Sequence, residues 1–365
     1  VEGACLANVH VACFASDEVR GVMADLQPAG PPLYADNGPV SLARSGGALW
    51  VSHSLVPTLL GFRPDRPAAL RITLGGSDIE VVRPFGALLT ASDSGSGTLV
   101  VVDPVRAAAV DEVDLAASPG DYPNPLAPAF VGTTGYVPLY GSAAVPSFGE
   151  AQAIAVVDLS ASATCAAPPC GSVLKRIPLD QPSDLFTPGT YDPGGFPFPS
   201  RAVAVEAPPG TVRVFVTLAN LKVGAFGYYT DPAGNGRLAV IDATGGDALG
   251  ALDLGPDCQN PGGIAALGTT VWVACGGSGA LLPVDVSGTT PSVGAAVALP
   301  APPGGFGFVP GNLVFCGGQG FVTDQYSGTI ARFDPAGLAP VATAAVCPVD
   351  PVAGWAWAAD VACGP

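Results

Sequence analysis

The chain has 365 residues, of which 48% are hydrophobic and 12% charged, and its formal charge is −16 at pH 7. Fourteen lysines and arginines stand against thirty acids, which argues against nucleic acid or an anionic membrane as partner, since both need basic surface. No apolar run of the length of a membrane span escapes interruption by Gly, Pro or polar residues, so no transmembrane helix is expected.

Taken in chain order, the sequence reads as short apolar strands separated by turn residues, with 49 glycines and 39 prolines as punctuation. Residues 11–26, VACFASDEVRGVMADL, read as the last two strands of a sheet whose beginning lies elsewhere. Six units follow, at about 39–74, 75–115, 124–179, 197–254, 260–299 and 311–346. The third and fourth carry insertions. The segment VAGWAWAADVACG at the C-terminal end reads as the first two strands of a seventh unit, which the N-terminal strands complete. The repeat is clearest where a strand ends in V-D or I-D and the next ends in D-L or A-L: LVVVDPVRAAAVDEVDL at 99–115, LAVIDATGGDALGALDL at 238–254 and LLPVDVSGTTPSVGAAVAL at 281–299. A period of about 40–45 residues with about four strands is that of a propeller blade. The expectation is an all-β, seven-bladed β-propeller forming one domain over residues 1–365, its final blade made by about 348–365 and 7–27. A pair of β-sandwiches or another all-β solenoid is the alternative.

The units resemble the YVTN-type seven-bladed β-propeller repeat family. The residues that carry the resemblance are GFVTDQYSGTIARFD in the sixth unit, NPGGIAALGTTVWVACGGSG in the fifth, and the strand ends at Asp103, Asp158 and Asp242. The resemblance implies a secreted, periplasmic or surface-exposed propeller that binds or scaffolds other molecules. Some proteins of similar fold are lactonases or subunits of quinone-dependent dehydrogenases, but no catalytic motif of theirs can be matched here.

Nine cysteines point to an oxidising compartment. Cys258 and Cys275 bracket the first two strands of the fifth unit. Cys347 and Cys363 sit at similar spacing near the C-terminus, and each pair is expected to form a disulfide. Cys165 and Cys170 flank a tight AAPP loop and are expected to form a third. A Cys5–Cys363 bridge competes with Cys347–Cys363, and Cys13 and Cys316 are left unassigned. The chain starts at Val1 with no legible signal peptide, so a mature, processed form is expected, outside the cytoplasm.

Little catalytic chemistry is legible. The two histidines, His10 and His53, form no zinc or haem motif. A triad using His53 has no G-x-S-x-G elbow to support it. No catalytic residue, metal ligand or cofactor is assigned. The oxygen-rich runs at 121–125 and 230–236 could hold calcium, but match no known calcium-loop spacing.

The insertions cluster. Segments 116–128, 141–151, 180–200 and 220–237 should rise from one face of blades two to four, and they are rich in aromatics: Tyr122, Tyr140, Phe148, Tyr191, Phe196, Phe198, Phe226, Tyr228 and Tyr229. Exposed aromatics among acids suit a protein, peptide or glycan surface. The preferred reading is therefore a binding or scaffold propeller using this face. The alternatives are a metal-dependent hydrolase or lactonase with a site in the central channel, and a structural subunit of an extracellular assembly.

Overall fold

The computed structural model describes residues 9–66, 68–141, 152–179, 195–223, 229–301, 309–352 and 354–364. Among the described residues seven antiparallel sheets of four or five strands follow one another along the chain, and the fold is a seven-bladed β-propeller. Blade one pairs Pro39–Ser45, Ala48–His53, Thr58–Phe62 and Leu70–Thr73 in sequence order. Blade two repeats the pattern with Ile79–Phe85, Leu88–Asp93, Thr98–Asp103 and Ala108–Asp114. Blades three, four and six follow suit, and in blade five two short strands, Ser292–Val293 and Val297–Ala298, both pair with the third strand.

The V-D signature has a local cause. The aspartate ending the third strand of five blades turns its carboxylate back on the next turn. Asp103 Oδ1 accepts from the Val105 and Arg106 amides, Asp158 from Ser160, Asp242 from Thr244 and Gly245, Asp285 from Ser287, and Asp334 from Ala336. These Asx turns fix the hairpin that brings the fourth strand alongside the third. The repeated acids therefore serve the fold. Cross-strand aromatic–glycine pairs add to it. Trp50 faces Gly61 across blade one, where a Cβ would lie 2.8 Å from the indole; Phe333 faces Gly320 across blade six, where a Cβ would lie 2.1 Å from the ring. Only glycine leaves room for those rings to lie flat on the neighbouring strand.

Blade seven is shared between the chain ends, but not evenly. Its order is Leu33–Tyr34, Glu18–Val22, Val9–Cys13 and Ala358–Cys363, so the C-terminal segment supplies one strand and the N-terminal segment three. The expected two-and-two division fails because GWAWA is not a strand. The Asp350 amide bonds the Trp355 carbonyl and the Gly354 amide bonds the Asp350 carbonyl, folding this stretch into a turn. Trp357 then packs on Phe14 at 4.5 Å, and Trp355 lies 6.0 Å from Trp357.

This register corrects one cysteine assignment. Cys258–Cys275 and Cys165–Cys170 are bonded as expected. Cys347 bonds Cys13, and Cys363 bonds Cys316, rather than Cys347 with Cys363. Cys13 ends the second strand of blade seven, the place Cys275 holds in blade five, so the equivalence was real but belonged to a strand from the other end of the chain. The competing Cys5–Cys363 bridge is overturned by the same bond; Cys5 itself lies outside the described residues.

Two compact units divide the chain: residues 1–95, 100–109 and 297–365, and residues 96–99 and 110–296. In the first, the Asp360 carboxylate is fully buried. It accepts from Ser41 Oγ at 2.9 Å and the Leu42 amide at 2.8 Å through Oδ2, and from the Val361 amide at 2.8 Å through Oδ1, with Arg83 at 3.7 Å. The Arg332 guanidinium donates to the Ala24 carbonyl, tying blade six to blade seven. In the second unit, buried Arg213 lies over Phe215 and donates to the carbonyls of Ala207, Val286, Gly288 and Thr289, joining blades four and five. Arg176 donates to the Leu115 carbonyl. Several of the scarce cations are thus engaged with backbone carbonyls.

Candidate binding face on the insertions of blades three and four

Blade four runs through Pro199–Glu206, Val212–Leu218, Arg237–Asp242 and Ala248–Asp253. Beside blade four the chain makes an extra three-stranded sheet, in the order Gly195–Phe196, Leu221–Val223 and Tyr229–Pro232. Its first strand precedes blade four and its other two follow the second strand. The pairing of Gly195 with Lys222 and of Phe196 with Leu221 therefore brings the two classes of loop together on one face, as the sequence implied.

The roots of the insertions are laced by hydrogen bonds. The Tyr140 amide donates to the Asn124 carbonyl at 3.0 Å. Gln152, fully buried, donates from Nε2 to the Tyr140 carbonyl at 3.2 Å and accepts the Phe198 amide on Oε1 at 3.1 Å. The Asn220 amide bonds the Pro197 carbonyl at 3.2 Å, and Asn220 Nδ2 bonds the Asn235 carbonyl at 2.9 Å. Asn235 Nδ2 closes the series on Asp253 at 3.0 Å. Gln152 satisfies both a carbonyl and an N–H with one side-chain amide, and the Asn220 and Asn235 amide nitrogens donate onward, which ties these irregular segments where ladder bonds stop.

On that base, Tyr122 is exposed at 37%. Tyr140 is half-buried, its ring 4.9 Å from that of Phe198. Phe198 is fully buried with φ of 49°, a left-handed conformation that a bulky residue adopts only when its surroundings impose it. It presents no surface to a partner and acts as the floor under Tyr140. Phe196 and Tyr229 lie in strands of the extra sheet. Phe148, Tyr191, Phe226 and Tyr228 lie outside the described residues.

A second group of aromatics was not singled out from the sequence. In the first unit Trp355 is 40% exposed and stacks with Phe14, Leu55 beside Phe14 is 57% exposed, and Tyr326 is 71% exposed. All stand in loops of the same two classes, after a second strand or before a first strand. The signal was GWAWA, which strand periodicity absorbed.

His53 and the cluster around Asp111 are both engaged in structure. His53 is buried: Nδ1–H donates to the Thr58 carbonyl at 2.9 Å and Nε2 accepts the Asp36 amide at 3.2 Å. Burial holds its pKa below the ordinary histidine value. Asp36 in turn accepts from Thr58 and pairs with Arg71 at 2.5 Å. With both ring nitrogens taken, His53 has no free nitrogen for a general base to use. Asp111, Cys165 and Cys170 converge closely enough for a metal, but the two sulfurs are bonded to each other. The Asp111 carboxylate receives Ser162 Oγ at 2.5 Å and the amides of Cys170 and Gly171 at 2.8 Å each. In the run at 121–125, the Asp121 carboxylate caps the Ala117 amide.

Neither a family model nor a curated protein matches the chain. Solved structures do. A protein from Lactobacillus plantarum superposes with a TM-score of 0.66 at 13% identity, over 98% of this chain and 99% of that one. A putative 6-phosphogluconolactonase from Bacteroides fragilis gives 0.63 at 10% identity over the whole of both chains. Apo AztD from Citrobacter koseri gives 0.59 at 12% identity over 98% of each. At such identities the likeness is one of fold alone.

Proposed function

We propose that the protein is an extracytoplasmic binding or scaffold propeller of the YVTN-like kind, engaging a protein or peptide partner through the aromatic insertions of blades two to four. The observation that carries this reading is the extra sheet of blade four, rooted through Gln152, Asn220 and Asn235 beside Tyr122 and Tyr140. A preformed support for irregular aromatic loops lowers the ordering cost of binding. The four disulfides support a location in an oxidising compartment. The reading requires no cofactor, and the occupied nitrogens of His53 favour it over hydrolysis.

Deleting residues 226–231 tests it. The expected result is loss of partner capture from the native extracytoplasmic fraction with an unchanged melting temperature. Undiminished capture by the deleted protein contradicts the proposal.

A further inference from the structure

Between blade seven and blade one, within the first compact unit, lies a cavity of about 220 Å³. At about 30 Å³ per water this is room for about seven waters, or one small organic molecule. Leu33, Leu49, Phe62 and Pro64 supply apolar walls, and His10, Arg44 and Arg63 supply the polar groups. Of these walls, Leu49, Leu33 and Phe62 also belong to the apolar seam of the two blades, with Ala12, Leu42 and Val51.

Arg44 is the unusual member. It is half-buried; its Nε donates to the Cys363 carbonyl at 3.0 Å and its Nη2 lies 3.4 Å from His10 Nδ1. Among the described residues no carboxylate pairs with it. That is notable in a chain with thirty acids to fourteen bases. Its desolvation is thus offset by neutral acceptors alone. Burial first, and Arg44 second, hold the His10 pKa at about 4, so the imidazole is a neutral neighbour and not a second cation. Arg63 stands at the rim, and among the described residues its ion-pair partner is Asp65, itself 66% exposed, at 3.3 Å. Such an exposed contact is readily exchanged for a better anion.

We propose that this cavity binds a small organic anion, a carboxylate on a compact apolar body, with the carboxylate on Arg44 and Arg63 and the body against Leu33, Leu49 and Phe62. A planar guanidinium matches a carboxylate in two parallel hydrogen bonds, and the apolar walls select what the carboxylate is attached to. The site is independent of the insertions of blades two to four, so the proposal stands or falls apart from the partner-binding reading.

Benzoate is the probe, with benzyl alcohol as its uncharged counterpart, titrated into the full chain by calorimetry and by imidazole NMR. The chain has two histidines, so the His10 and His53 signals report where the probe binds. The expected result is saturable benzoate binding that moves the His10 resonances and leaves those of His53 in place. Benzyl alcohol should bind about tenfold more weakly or worse, and Arg44→Gln should weaken benzoate by about tenfold. Should Arg44→Gln fail to fold, Arg63→Gln, whose side chain lies at the rim, should still weaken benzoate severalfold. No saturable benzoate binding in the millimolar range, binding that leaves His10 unmoved, or equal affinity for the alcohol overturns the proposal.

Discussion

Cys13 and Cys347, separated by 334 residues in sequence, are bonded with their Cα atoms 5.2 Å apart. The bond locks the second strand of blade seven to the segment that enters its first strand, and these come from opposite ends of the chain. Cys316–Cys363 then joins the first strands of blades six and seven. Together they secure the blade that would otherwise fray from either terminus.

A cross-link over so long a loop should stabilise more than one over five residues. By chain entropy, Cys13→Ala with Cys347→Ala should cost up to about 5 kcal/mol, and Cys165→Ala with Cys170→Ala about 2 kcal/mol. Denaturant unfolding of the two double variants checks the order; equal losses would show that the unfolded chain is already compact near its ends.

Asp111 should be a source of acid sensitivity. Burial raises its pKa, but Ser162 and the amides of Cys170, Gly171 and Glu112 outweigh this and hold it below the ordinary carboxylate value. A depressed carboxylate stabilises the fold above about pH 4, and that stabilisation is lost as pH falls through the folded value. Asp111→Asn, which turns an NH₂ toward amide donors, should cost about 2–4 kcal/mol at pH 7. Its deficit against the wild type should shrink as the pH falls below about 4. A pH series of urea midpoints measures both.

Asp360 should be indispensable to the first unit. Removing it leaves Arg83 without its carboxylate and Ser41 and the Leu42 and Val361 amides without their acceptor. Asp360→Ala should destabilise by about 3–5 kcal/mol, the range for breaking one side of a buried ionic network. A loss below about 1 kcal/mol in thermal or urea unfolding would mean that water replaces the carboxylate.

The histidines set a second pH window. Burial is the leading cause for both: His53 is shifted down, and His10 is shifted down to about 4. Each is neutral in the fold while the unfolded chain takes up a proton near pH 6.5, so stability is intact above that and declines as pH falls toward the folded value. For His10 the full decline is about 3 kcal/mol. His10→Gln should flatten the stability profile between about pH 6.5 and 4. An unchanged profile would place the titration elsewhere.

Blade count was legible because it rests on local patterns: apolar strands, glycine turns and the aspartates at the third-strand ends, each closing its own turn within three residues. The division of blade seven was not, since GWAWA has the periodicity of a strand and the backbone bonds that join Asp350 to Gly354 and Trp355 make it a turn. The polar staples were also hidden. Asp111 meets Ser162 across 51 residues and Asp360 meets Ser41 across 319, with nothing local to link them. Among the candidate contact residues, Tyr122 and Phe198 look alike in sequence, yet one is exposed and the other is the floor of the face. The Phe198 amide is held by Gln152, a residue without any motif.

The most direct test places a photo-crosslinking amino acid at Tyr122 and, as control, at Leu267. Both are 37% exposed, but Leu267 ends the first strand of blade five, where it pairs with Thr270 at the turn into the second strand, the opposite strand end from the insertions. Binding through the insertions predicts a discrete crosslinked protein from position 122 in the native extracytoplasmic fraction and none from 267. Equal crosslinking from both positions, or none from 122 while the protein remains folded, would contradict it.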